Sequence, residues 1–193
     1  KGRLAGSSGF GAVDYEFQIA KEHVTNAQYS EFLNAVDATG KEAGPSAEYK
    51  IYNNNLSLST IGSTGIAYTG GIDFDANATD GSKYSAKSGQ ANYPATWINW
   101  TSGARFVNWL SNGQGSGDTE NGVYDLSIPF SSNTSPTRQA GATVFIPSED
   151  EFYKAAYYDP TKNGGAGGYW KYGVQSDADP ISEAPSGGAT SAN

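Results

Sequence analysis

The 193-residue chain contains no cysteine, no methionine and a single histidine, His23. Without a thiol there is no disulfide, no thiolate metal ligand and no cysteine nucleophile. One imidazole cannot make a multi-histidine metal centre within this chain. Basic residues are also scarce: 12 Lys and Arg stand against 20 Asp and Glu, for a net charge of −8. A surface of that sign repels phosphate, so the expected partners include neither nucleic acid nor an anionic membrane. Charged residues make up 17% of the chain, against about 25% in ordinary domains. No apolar run approaches the roughly 18 residues that a membrane-spanning helix requires, and no signal peptide is visible. The lack of an initiator methionine suggests a processed or incomplete chain beginning at Lys1.

What is abundant is glycine, at 25 residues, and tyrosine, at 13, in a setting of Ser, Thr and Asn. Disordered chains are poor in aromatics, so a folded core is expected. The composition suits a secreted or surface-exposed protein, with extracellular or cell-surface localisation. Val13 to Ile19 alternates apolar and polar residues, the period-2 pattern of a half-buried strand. Thr25 with Gln28 three residues later forms a capping box, and Val24 with Tyr29 a hydrophobic staple. Tyr29, Phe32, Leu33 and Val36 then follow helical spacing, which predicts a helix over 26–36. A second helix is expected from Thr101 or Ser102, with Phe106, Val107 and Leu110 on one face, stopped by Asn112-Gly113. Ala142 to Ile146 reads as a short apolar strand. Ser148 and Glu151 make a second capping box for a helix that would bury Phe152, Ala155 and Ala156. The predicted core is Phe32, Leu33, Val107, Leu110, Phe145 and Phe152. The whole of 1–193 reads as one domain. It has a loop-rich excursion at 37–93, with strand-like scraps at 65–69 and 82–87, and an irregular Gly-rich tail at 161–193.

Three blocks carry a resemblance: YEFQIAKEHVTNAQYSEFLNAV (15–36), YPATWINWTSGARFVNWL (93–110) and VFIPSEDEFYKAAYYDP (144–160). In this order they resemble the sulfatase-modifying-factor family, that of the formylglycine-generating enzyme. The likeness is greatest to secreted bacterial members of the PEP-CTERM type. The resemblance implies an α+β, C-type-lectin-like fold with about three short helices, small antiparallel sheets and much ordered loop. Catalytic members use copper held by two cysteines, and a related branch uses iron held by three histidines. This chain has the residues for neither. The family's C-terminal half, with its Trp-Glu-Trp and Arg-Gly-Gly-Ser-Trp segments, is also missing. Asn193 matches a family position that helps bind structural calcium, with partner ligands expected beyond it.

Other candidate sites weigh less. Glu149, Asp150 and Glu151 complement a helix N-terminus and need no catalytic reading. Asp73, Asp75 and Asn77 alternate like calcium ligands but lack the glycine and terminal glutamate of an EF-hand, so a polar loop is favoured. Asn55, Asn77, Asn99 and Asn133 open Asn-X-Ser/Thr triplets, which arise easily in so Asn/Ser/Thr-rich a chain. Gly164 to Gly168 lacks the Lys-Ser/Thr pair of a phosphate loop. Trp100 and Trp109 are expected in the core. Tyr49, Tyr52, Tyr68 and Tyr84 are expected to be exposed and to serve as an interface. The function these features favour is a non-catalytic extracellular module that self-associates or pairs with a completing fragment. The alternatives are a lectin-like carbohydrate- or ligand-binding domain and an enzyme of unrecognised chemistry.

Overall fold

The first capped segment forms the helix its spacing predicts: α1 spans Asn26–Val36. Thr25 is extended, and its Oγ1 accepts from the Gln28 amide at 3.3 Å while Gln28 Oε1 accepts from the Thr25 amide at 2.9 Å. These are the two reciprocal bonds of a capping box. The next orphan donors, the amides of Asn26 and Ala27, reach the carbonyls of Tyr93 (2.9 Å) and Ala91 (3.0 Å). A distant loop is thereby tied to the start of the helix. A computed structural model of the chain describes residues 11–43, 51–61, 67–127 and 136–181. Residues 21–146 form one compact unit, and residues 11–20 with 147–181 form another.

In the first unit, α1 packs against a hairpin and against α2 (Trp100–Ser111). The strands are short: β1 (Ser59–Ile61) pairs antiparallel with β2 (Ala67–Thr69), and β3 (Ile72–Phe74) with β4 (Tyr84–Ala86). In the second pair Ile72 stands opposite Ala86 and Phe74 opposite Tyr84. Tyr29, Phe32 and Leu33 of α1 are buried with Phe106 and Trp109 of α2, and with Tyr52, Leu56, Ile72 and Tyr84 from the excursion. Phe32 meets Phe106 and Trp109 edge-on, with ring centroids 5.5 and 5.4 Å apart. This is the geometry that the ring quadrupole favours. Gly70 and Gly71 join β2 to β3 where nothing larger fits. A Cβ on Gly70 would lie 2.2 Å from the Leu56 carbonyl oxygen, and one on Gly71 2.0 Å from Asn26 Nδ2.

Helix α2 begins earlier than expected. Asn99 is its cap, accepting from the Ser102 amide at 2.8 Å. Its opposite face builds a second cluster of Ala104, Val107, Val123 and Tyr124, with Phe145 and Ile146 partly buried against it. The predicted single core is therefore two: Phe32 and Leu33 lie in one, with Leu110 partly buried against it, and Val107 lies in the other. Asn108, fully buried between them in sequence, organises the loop after α2. Its Nδ2 donates to the carbonyls of Thr119 and Tyr124, both at 2.8 Å, and its Oδ1 accepts from the Tyr124 amide at 2.9 Å. Arg105 forks onto Glu120 at 2.6 and 2.9 Å. Ala142 to Ile146 is not a strand: it has no ladder partner among the described residues, and Val144 is exposed.

In the second unit, α3 (Glu149–Tyr157) starts at the predicted box, with Ser148 Oγ accepting from the Glu151 amide and Glu151 Oε2 from the Ser148 amide. Its predicted apolar face is wrong. Phe152 is 52% exposed and Ala155 is exposed, whereas Glu151 is fully buried. The carboxylate is stabilised there because it also accepts from the Tyr15 hydroxyl at 2.6 Å. Residues 13–19 run alongside without forming a strand. The Gly11 amide donates to Asp150 at 2.8 Å, and the Lys154 ammonium donates to the Val13 carbonyl. Those polar ties replace the expected ladder, and only Val13 of the alternating set is buried. β5 (Tyr158–Asp159), the turn α4 (Lys162–Gly165) and β6 (Gly168–Tyr169) close the unit. Tyr153 stacks on both Tyr157 and Tyr169.

Candidate functional site

The ties at the start of α1 create a cleft. Ala95 donates to the Val24 carbonyl at 2.9 Å, and Thr25 and Pro94 form an isolated antiparallel bridge. The segment 93–98 is thus held beside α1 as it leads into α2. Between them lies a cavity of about 420 Å³. Helix α1 contributes Tyr29 and α2 contributes Gly103 and Phe106. The connecting segment contributes Pro94, Ala95 and Ile98, and the approach to α1 contributes His23 and Val24. That volume falls within the range of small-molecule sites.

The lining is apolar. The Tyr29 and Phe106 rings, centroids 5.9 Å apart, are buried. Tyr29 donates its hydroxyl to the Ile51 carbonyl at 2.9 Å, and burial pushes that phenol well above its ordinary pKa. The remaining polar side chain of the lining is the imidazole of His23, an exposed residue. The unit also shows large apolar side chains to solvent: Val24 at 40%, Tyr93 at 62%, Trp97 at 44% and Trp100 at 39%. Trp97 also holds a left-handed backbone, with φ of 61°, a strained state for a bulky residue.

Other expected sites resolve differently. Tyr52 and Tyr84 are buried, at 5% and 2% exposure, so they are core residues and offer no surface for an interface. Their rings pack 5.1 Å apart, and the Tyr84 hydroxyl donates to Asp37, the residue that ends α1. Burial first, and then Asp37, raises the Tyr84 pKa. Low charge and many tyrosines suggest a surface, but Tyr52 and Tyr84 reach inward to complete the core with α1 and α2. Tyr68 lies on β2, opposite Thr60. Tyr49, Asn133 and Asn193 lie outside the described residues, so the calcium reading of Asn193 has no geometry to stand on. Trp109 is buried as expected, but Trp100 is not.

The Asp73–Asn77 loop holds a cation of its own. Asp73 faces Lys87 at 3.8 Å, and Asp75 accepts from the Asn77 amide at 2.8 Å, so the two carboxylates serve separate partners. Lys83, only 9% exposed, sends its ammonium to the carbonyls of Ala76 (3.0 Å) and Ala78 (2.6 Å), with Asp80 at 3.5 Å. No group of three His, Cys, Asp or Glu side chains able to hold a metal occurs among the described residues. The copper–dithiolate centre that the resemblance implies for catalytic members finds no thiolate donor in this chain. Sequence reasoning missed the cleft because its walls come from residues 70 positions apart. The capping box leaves the Asn26 and Ala27 amides to the carbonyls of Tyr93 and Ala91, and no local pattern marks that tie.

Comparison with curated proteins and with solved structures returns no match. A family model described as the sulfatase-modifying factor enzyme 1-like domain matches residues 12–190. That family implies the C-type-lectin-like version of the α+β architecture, with short helices and small antiparallel sheets, as described above. The match covers nearly the whole sequence, and the chain belongs to the sulfatase-modifying-factor family.

Proposed function

We propose that this chain is a non-catalytic, extracellular binding module of its family, acting as a subunit of an assembly. The observation that carries this reading is the chemistry of its cleft. The walls are hydrocarbon and aromatic rings, and the polar side chains are one imidazole and one hydroxyl-bonded phenol. Acyl, phosphoryl or redox chemistry needs a convergent set of nucleophile, acid and base groups, and this cleft does not offer one. Such a surface binds rather than transforms. Exposed Val24, Tyr93, Trp97 and Trp100 support association, because large apolar side chains left in solvent favour burial against a partner. A chain without oxidisable cysteine or methionine supports the extracellular setting.

Sedimentation velocity across micromolar concentrations tests the assembly. Concentration-dependent species larger than a monomer are expected, and substitution of Tyr93 with Ser should reduce them. A monomer at every concentration would contradict the assembly reading.

A further inference from the structure

We propose that Asn77 is the acceptor of an N-linked oligosaccharide, displayed on a fixed turn, with Asp75 as the charge that anchors the transferase. The inference rests on the extracellular reading, because such acceptors belong to surface loops of secreted chains. Four triplets, opened by Asn55, Asn77, Asn99 and Asn133, have the Asn-X-Ser/Thr pattern, and Asn133 lies outside the described residues. The structure separates the other three. Asn55 is half-buried in the 3₁₀ turn Asn54–Ser57, and the hydroxyl of Ser57, the third residue of its triplet, donates to the Asn54 carbonyl at 3.0 Å. Asn99 commits its Oδ1 to the Ser102 amide as the cap of α2, and Thr101 is already helical. Modification at either would compete with a contact that the fold uses.

Asn77 and Thr79 are both exposed, and neither side chain makes a hydrogen bond with another described residue. Other atoms fix the turn. Asp75 Oδ1 accepts from the Asn77 amide at 2.8 Å, and the Asp75 carbonyl accepts from the Ala78 amide at 3.2 Å, an Asx turn inside a β-turn. The carbonyls of Ala76 and Ala78, on either side of Asn77, accept from the Lys83 ammonium. The Asp75 amide donates to the Lys83 carbonyl at 2.9 Å and the Gly81 amide to the Ala38 carbonyl at 2.8 Å, which closes the loop and ties it to the end of α1. The Asn77 side chain takes no part in these bonds, so a bulky glycan there leaves them in place. Asp75 also stands two positions ahead of Asn77, and none of the other triplets has an acid at that place. A carboxylate beside the acceptor complements a cationic groove on the transferase. In the transfer, Nδ2 of Asn77 attacks the anomeric carbon of a polyprenyl-diphosphate oligosaccharide. An N–C bond forms, the C–O bond to the diphosphate breaks with its electron pair leaving on the polyprenyl diphosphate, and Nδ2 releases one proton to the transferase's base.

The test incubates the folded full chain with a purified single-subunit bacterial oligosaccharyltransferase and a polyprenyl-diphosphate oligosaccharide, and reads intact mass. A synthetic peptide of residues 72–82, run alongside, verifies that the transferase is active. The chain is expected to gain the mass of one oligosaccharide, which peptide mapping places on Asn77. Asn77→Gln should abolish the gain with an unchanged melting temperature, since no contact of the fold is lost. Thr79→Ala should abolish it as well, and Thr79→Ser, which keeps the hydroxyl, should retain it. Asp75→Asn leaves an oxygen for the Asx turn but removes the charge, and should slow the transfer by about tenfold. No gain on the folded chain while the peptide is modified, a gain that persists in Asn77→Gln, or an undiminished rate in Asp75→Asn would each overturn the proposal. Donor and transferase are supplied in the assay, so none of these results bears on where the chain resides, and the extracellular reading stands or falls separately.

Discussion

Replacing Lys83 with Met tests whether the 75–83 loop depends on its own internal cation. The ammonium is nearly buried and donates to the carbonyls of Ala76 and Ala78. Each bond from a charged donor contributes about 1.5–3 kcal/mol. Burying the ammonium carries its own desolvation cost, which Met escapes, so the two contributions do not simply add. Asp80 adds little, at most about 0.5 kcal/mol, because its carboxylate is largely solvated. The net expectation is a loss of about 2–4 kcal/mol, read as a lower urea midpoint with an unchanged m-value. The loss should persist in high salt, since buried contacts are poorly screened. Arg should not restore the full stability, because a planar guanidinium cannot replace a compact ammonium between two carbonyls. A loss below about 0.5 kcal/mol, or one that vanishes in high salt, would refute the cage. So would chemical-shift changes at 75–83 when calcium is added to the wild type, since the lysine would then not be the cation that fills the loop.

Further predictions address the core, the caps and alkaline stability. Phe32→Ala removes a fully buried ring and should destabilise the fold by about 3–5 kcal/mol, measured by denaturant unfolding. Thr25→Ala and Ser148→Ala each break a capping box and should each cost roughly 0.5–2 kcal/mol; a neutral result at both would show that the reciprocal bonds do not stabilise the helices. Burial raises the phenol pKa of Tyr29, Tyr52 and Tyr84. The folded state therefore retains these protons above the unfolded value of about 10. Their contribution is fully present below that pH and is lost as pH rises through the folded values. Tyrosinate absorbance should show these three of the 13 tyrosines ionising only with alkaline unfolding. A smooth titration of all 13 in the native state would contradict their burial.

The local signals in the sequence were reliable where a few neighbouring residues decide the outcome. Thr25 with Gln28 and Ser148 with Glu151 placed two helix starts, because a capping box is closed within four residues. Asn99 caps α2 without a capping box, since the residue three positions on is Ser102 rather than Glu or Gln, so its local signal is weaker. The failures are long-range. The alternation over 13–19 looks like a strand, but a ladder needs a partner. Polar contacts from Asp150, Glu151 and Lys154 hold that segment instead. Phe152 looked buried by helical spacing, yet Glu151 takes the inner position because Tyr15 and the Ser148 amide satisfy its oxygens. Tyr52 and Tyr84 looked like surface residues by composition, and no local pattern reveals that the excursion folds its aromatic rings back onto α1. The cleft was illegible for the same reason, being made by a loop that returns to α1.

The proposed function requires this family member to bind without catalysing. The most direct measurement is to incubate the purified chain, supplied with copper and reductant under oxygen, with a cysteine-containing sulfatase peptide and to assay aldehyde by mass spectrometry. Unmodified peptide is expected at every time point, since no thiolate in the chain can hold the metal. Formylglycine accumulating above a copper-only control would contradict it.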